Sequence, residues 1–214
     1  MIITTSNLTP FTRDNIMKRI IISLFVILAS FTSLAETPSP YTTLENVGQS
    51  LFTRIAANQD KLAKFPLLMD TIVDEELMPH IDYQYAALRI LDKNLKHTTK
   101  EQRQLFTDSM RHYLIRTYAV ALQKYNNQEV RFEADKPTKD RRIVSVTAEI
   151  IELGKPSIEI VFQMRQDKHS RQWKAFDMIV EGISLLDSKK AELSHKISKL
   201  GVEQVALELA YVEK

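Results

Sequence analysis

The stretch WKAFDMIVEGISLL, residues 173–186, decides how this chain is read. Its first part is aromatic and apolar and fits a strand, with a single carboxylate, Asp177, set among the apolar residues. At Glu181-Gly182 the run breaks, as a strand does at a bulge or a tight exit. Ser184 follows close behind the glycine, so the segment is either half of a nucleophile site or the wall of a container.

Upstream the same period of two recurs. Val130 and Phe132, then Val144, Val146, Ala148 and Ile150, then Ile158, Ile160, Phe162 and Met164 alternate with polar residues such as Glu159, Gln163 and Arg165. Gly154-Lys155-Pro156 and the Asp167–Ser170 stretch supply turns between them, which makes the strands antiparallel.

Before Asn126-Asn127 the period is helical. Thr42 and Glu45 are spaced as a capping box for a first helix through Leu44, Val47, Leu51, Ile55 and Leu62. Pro66 suits the first turn of a second helix, through Leu68, Ile72 and Leu77, that stops near Pro79. A third runs from Asp82 to Leu91. The longest starts at Thr99, with Gln102 as its capping partner, and reaches Tyr125. Phe106, Met110, Leu114, Tyr118, Ala121 and Tyr125 lie along one side of it. After the sheet, Ser188–Leu200 reads as a helix ended by Gly201, followed by an amphipathic tail through Val205 and Leu209. Helices first and a meandering sheet afterwards predict an α+β domain.

The N-terminus follows a different logic. Met17-Lys18-Arg19 leads into the apolar run from Ile20 to Phe31, and Ser33 and Ala35 place small residues at the positions a signal peptidase reads. The apolar run is shorter than the ~20 residues a membrane span needs. Residues 1–35 are therefore expected to be an N-terminal extension and a cleaved signal peptide starting at Met17, leaving 36–214 as the working domain. Within it the helical part spans about 40–125, the sheet about 128–182 and the C-terminal helices about 187–211. The formal net charge of +2 is accounted for by Arg13, Lys18 and Arg19 against Asp14 in the leader, so the rest of the chain is balanced. A nucleic-acid partner, which asks for a basic surface, loses its support.

The chain contains no cysteine, which excludes disulfides, thiolate metal sites, a cysteine nucleophile and a lipid-modified cysteine anchor. A nucleophile elbow needs Gly-x-Ser-x-Gly, but Gly182-Ile183-Ser184 continues as Leu185-Leu186. His80, His97, His112, His169 and His195 show no catalytic or metal spacing. Four isolated glycines build no phosphate loop. Asp70, Asp74, Glu75 and Glu76 read better as a solvated or partner-facing edge than as metal ligands. Asp177 is either a base with a raised pKa or an acceptor that fixes the strand end, and the second reading is the simpler.

YQYAALRIL (83–91), TTKEQRQLFTDSMRHYLIRTYAVAL (98–122) and above all WKAFDMIVEGISLL resemble the MlaC, or toluene-tolerance auxiliary, family of periplasmic phospholipid carriers. The most specific part is Trp173, Phe176, Asp177, Glu181-Gly182 and Ser184 with the Gln102-Arg103 and Thr117-Tyr118 pairs upstream. The resemblance implies an NTF2-like curved antiparallel sheet packed against a helical lobe and enclosing an apolar lipid cavity. It moves Leu68, Ile72, Tyr85, Phe106, Met110, Leu114, Tyr118, Val144, Val146, Ile160, Phe162, Phe176, Met178 and Val180 from core to expected lipid-binding wall. It implies a monomeric periplasmic shuttle without catalytic residues, metal or cofactor, with phospholipid as cargo. The partners it implies are the outer-membrane MlaA–porin complex and MlaD of the inner-membrane ABC transporter. A curved-sheet isomerase using Asp177, or a periplasmic chaperone or scaffold, are the rival expectations.

Overall fold

The computed structural model describes residues 37–139 and 141–211, so the expected leader lies outside the described residues. Ser39 starts helix α1 (Pro40–Ala57) by accepting a hydrogen bond from the Thr42 N–H, with Pro40 in the first turn. The cap thus sits three residues before the expected Thr42–Glu45 box, and the Ser39 hydroxyl also donates to Thr42 Oγ1. Leu44, Val47, Leu51 and Ile55 form the buried stripe of α1.

After a short α2 (Gln59–Lys64), the expected single helix from Pro66 is broken into three pieces. These are α3 (Leu68–Ile72), a wide π turn (Val73–Leu77) and a tight 3-10 turn (Met78–His80). Pro79 has no N–H to give the Glu75 carbonyl and its ring crowds that oxygen, so a regular helix cannot pass. Arg54 clamps Glu75 and Glu76, and Arg111 pairs with Asp74, which fixes the widened turn. Asp74, Glu75 and Glu76 are therefore met by arginines of the same chain. Among the described residues no group of three or more His, Asp or Glu is arranged to hold a metal ion.

Asp82 caps α4 (Tyr83–Leu91) through the Tyr85 N–H, and Thr99 and Gln102 close a reciprocal capping box at the start of α5 (Lys100–Leu122). The sheet is a meander, β1 (Glu129–Phe132), β2 (Ile143–Ile151), β3 (Ile158–Gln166), β4 (Trp173–Val180) and β5 (Ile183–Ser184), each strand antiparallel to its neighbour. Val146, Phe162 and Met178 lie side by side across it, and Ala148, Ile160 and Val180 form the next rung. The register slips once: Gln163 faces Asp177 while Met164 faces Ala175, so Phe176 is the extra, bulged residue. Glu181 (φ 49°) and Gly182 (φ 82°) both adopt positive φ and join Val180 to Ile183 as a two-residue hairpin turn. The break at Glu181-Gly182 is thus the tight exit, and the bulge lies earlier in the strand.

Ser184 caps α6 (Leu185–Leu200), which begins three residues before the expected start, and Gly201 turns the chain into α7 (Val202–Ala210). Among the described residues no helix is long and apolar enough to cross a membrane.

The buried residues form two cores. The first gathers α1, α3, the inner face of the sheet (Val144, Val146, Met164, Trp173, Ala175) and one side of α5 (Ile115, Ala119). The second gathers α4, the other side of α5 (Phe106, Met110), α6 and α7. Leu114 packs against both. Because α5 is sandwiched, its buried surface is wider than the single expected stripe, and Ala121 on that stripe is exposed.

Helix α1 meets the sheet at one point of very close approach. A Cβ on Gly48 would lie 2.3 Å from Phe132 Cζ. Gly48→Ala is expected to destabilise the fold by about 1–3 kcal/mol through overpacking, despite the better helix propensity of alanine. A melting temperature equal to or above that of the parent chain would show that Phe132 can move aside.

Candidate functional site

A cavity of about 290 Å³ lies where the two cores meet. Met110, Tyr113, Leu114, Thr117 and Tyr118 of α5 form one wall, with Ile81, Ala86 and Ile90 from the α4 side. Phe176, Asp177 and Met178 of β4 form the opposite wall, and Leu185, Leu186, Ser188, Lys189 and Glu192 of α6 complete it.

The bulge lets Ala175 and Met178, three residues apart, both lie on the inner face of the sheet, opposite Met164 and Phe162. A regular strand points neighbours to opposite faces, and the extra residue at Phe176 breaks that alternation. Phe176 is held by an edge-on contact with Tyr85, ring centroids 5.1 Å apart. Tyr85 in turn lies under Arg165, whose guanidinium carbon is 4.3 Å from its ring centre.

The interior is a low-dielectric space. Burial pushes the Tyr118 phenol far above its usual range, with the Asp177 charge adding to the shift. Tyr118 is nevertheless only half-buried by surface area, as expected of a ring that is surrounded by protein but faces a void.

Asp177 and Ser184 are engaged with each other. Ser184 Oγ donates to Asp177 Oδ2 at 2.7 Å, and the Leu186 N–H donates to Asp177 Oδ1 at 2.9 Å. Ser184 Oγ also accepts from the Asp187 N–H at 3.0 Å. Together they fasten the first turn of α6 to β4, and among the described residues no histidine lines the cavity. The arrangement supplies an N-cap rather than a nucleophile with its base.

Of the residues expected to form the wall, Met110, Leu114, Tyr118, Phe176 and Met178 line the cavity. Ile72, Val144 and Val146 are buried in the first core, and Leu68 and Phe162 pack against it. Phe106 is buried in the second core. Tyr85 stands behind Phe176. Ile160 and Val180 are half-buried on the inner face of the sheet, one rung beyond Phe162 and Met178. With Ile150 and the partly exposed Ile158, they continue the apolar surface away from the cavity.

Sequence reasoning missed the α4 and α6 contributions. Ala86 and Ile90, four residues apart on a short helix, carried a signal, since both must face the same neighbour. The α6 residues did not, because their placement depends on the Asp177–Ser184 cap. A second, open depression on α1, bordered by Asn46, Gln49, Ser50 and Arg54, is polar and lacks an opposing wall.

An α+β domain with a partly open, largely apolar cavity between two cores has the architecture of a binding protein. Comparison with known proteins agrees with that class. The family model described as MlaC protein matches residues 45–211. The intermembrane phospholipid transport system binding protein MlaC of Haemophilus influenzae is 32% identical over 181 residues, covering 84% of each chain. A toluene tolerance protein of Pseudomonas putida is 25% identical over 164 residues, 76% of this chain and 75% of its own. A solved structure of a phospholipid-binding protein from Ralstonia solanacearum, in complex with a phospholipid, shares the fold with a TM-score of 0.71 at 22% identity. That match covers 80% of this chain and 95% of the other. The chain belongs to the MlaC family.

Proposed function

We propose that this chain is a phospholipid carrier that shuttles lipid between the inner and outer membranes through the periplasm. The observation that carries the reading is the apolar cavity at the seam of the two cores. Two tails of about 16 carbons hold about 30 methylenes at roughly 0.8 kcal/mol each, so exposing them costs on the order of 20 kcal/mol. A carrier must lend its interior as solvent.

The size of the cavity then says how. At roughly 30 Å³ for a group the size of a water molecule, about 290 Å³ takes about ten methylenes, a third of two tails. The remainder is housed along the inner face of the sheet at Ile160, Val180, Ile150 and Ile158, with α5 and α6 drawing away from β4. Carriage and release are passive. The partners are the MlaA–porin complex and MlaD, the leader directs export to the periplasm, and bound lipid is cargo rather than cofactor.

The isomerase alternative is disfavoured because both Asp177 oxygens already accept hydrogen bonds that hold α6. The test is native mass spectrometry, with lipid extraction, of protein purified from the periplasm without detergent. A mass increment matching phospholipid is expected. Folded protein free of lipid under those conditions would overturn the reading and favour a scaffold.

A further inference from the structure

The cavity wall carries one cation, Lys189, and its setting is asymmetric. The Lys189 side chain is 21% exposed, whereas its ion-pair partner Glu192 is 50% exposed. The ammonium sits 4.5 Å from the centre of the Tyr113 ring and 2.5 Å from Glu192 Oε2, both residues of the cavity wall, with Glu192 the more exposed of the ion pair. Burial pushes this ammonium down, but hydrogen bonds to Glu192 and Tyr113 outweigh it and hold the pKa above the ordinary lysine value. A charged lysine is therefore kept at the border between an apolar interior and water. An exposed pair three residues apart on a helix contributes little to stability, so the partly buried position is not explained by the pair alone.

A two-tailed phospholipid has its own border at the same place. The tails belong inside, and the phosphodiester that joins them to the headgroup falls where the apolar lining ends. We propose that Lys189 is the anion site at the cavity mouth that takes the phosphodiester of a glycerophospholipid, and that Glu192 is the counter-ion which the phosphate displaces. The assignment rests on the carrier reading. The ammonium keeps a full negative partner in both states, so the swap leaves no buried charge unpaired. Recognition reaches the phosphate and goes no further, which admits different headgroups while discriminating against neutral lipids with the same tails. Glu192 in turn supplies a ready replacement when lipid leaves.

The test is uptake from vesicles of phosphatidylglycerol containing a minor share of diacylglycerol with identical acyl chains. Protein is separated by flotation, and both bound lipids are quantified by mass spectrometry. The parent chain should favour phosphatidylglycerol beyond its share in the vesicle. Lys189→Gln should lower that preference about tenfold, the loss of one charge-assisted contact, while diacylglycerol is still taken up. Glu192→Gln should raise it, because the competitor is gone. Diacylglycerol uptake serves as the fold control, since a merely structural lysine would lower both lipids together. A Lys189→Gln preference equal to that of the parent, or a Glu192→Gln preference below it, overturns the assignment. A parent chain that takes up neither lipid overturns the carrier reading itself.

Discussion

Leu114→Trp is expected to leave the chain folded and to strip it of most of its lipid. Leu114 lines the cavity and is packed against by both cores, so added bulk there projects into existing space. The penalty of about 1–3 kcal/mol typical of overpacking a filled core should therefore not be incurred in full. Displacing two or three methylenes at about 0.8 kcal/mol each weakens binding by about 2 kcal/mol, roughly thirtyfold. Lipid phosphorus per mole of purified protein measures the loss, and circular dichroism confirms the fold. Undiminished phosphorus in a folded variant would show that the tails lie elsewhere. Val146 does not suit the same test. It is fully buried in the first core, away from the cavity, and a charge there would unfold the chain rather than empty it.

The second large effect is expected at Asp82, where one side chain performs two tasks. Its Oδ1 accepts from the Tyr85 N–H and caps α4, and its Oδ2 pairs with Arg165 of β3. The Asp82 N–H also donates to the Ala175 carbonyl at 2.7 Å, and Ile81 forms a parallel bridge with Ala175. The start of α4 is thereby fastened to β4 next to the bulge. The pair is largely shielded, with Asp82 15% and Arg165 24% exposed. Asp82→Ala removes the cap and leaves Arg165 half-buried without its partner, a loss of about 3 kcal/mol. For a chain of this size that lowers the melting temperature by about 10 °C. Asp82→Asn keeps a capping oxygen and loses only the charge, so its melting temperature should fall between the two. An Asp82→Ala chain that melts with the parent would mean that the contact with Ala175 alone holds α4 in place.

Much of the architecture was legible in the sequence because it follows from local periodicity. The Thr99–Gln102 box, the alternation in β2 and β3 and the turns at Gly154 and Asp167 are written in adjacent residues. The segment after Pro66 was not, because a π turn held by Arg54 and Arg111 draws on partners that are distant in sequence. The cavity was half legible for a similar reason. Periodicity identifies Val146 and Met178 as inward-facing alike. Only the packing of α1 against one part of the sheet, and the bulge at Phe176, decide that one is core and the other wall. Lys189 and Glu192 are spaced three residues apart like any solvated pair on a helix, and only the packing of α6 brings them to the cavity wall.

The meander has a consequence for how the domain is assembled. Every strand pairs with its neighbour in sequence, so the sheet closes only short loops and its pairing costs little entropy. The second core instead joins residues 86–110 to residues 186–209, across the whole sheet. That closure awaits the C-terminal helices, and the cavity exists only once it is made. A chain lacking α6 and α7 therefore keeps the elements of the first core, yet has no enclosed interior to offer.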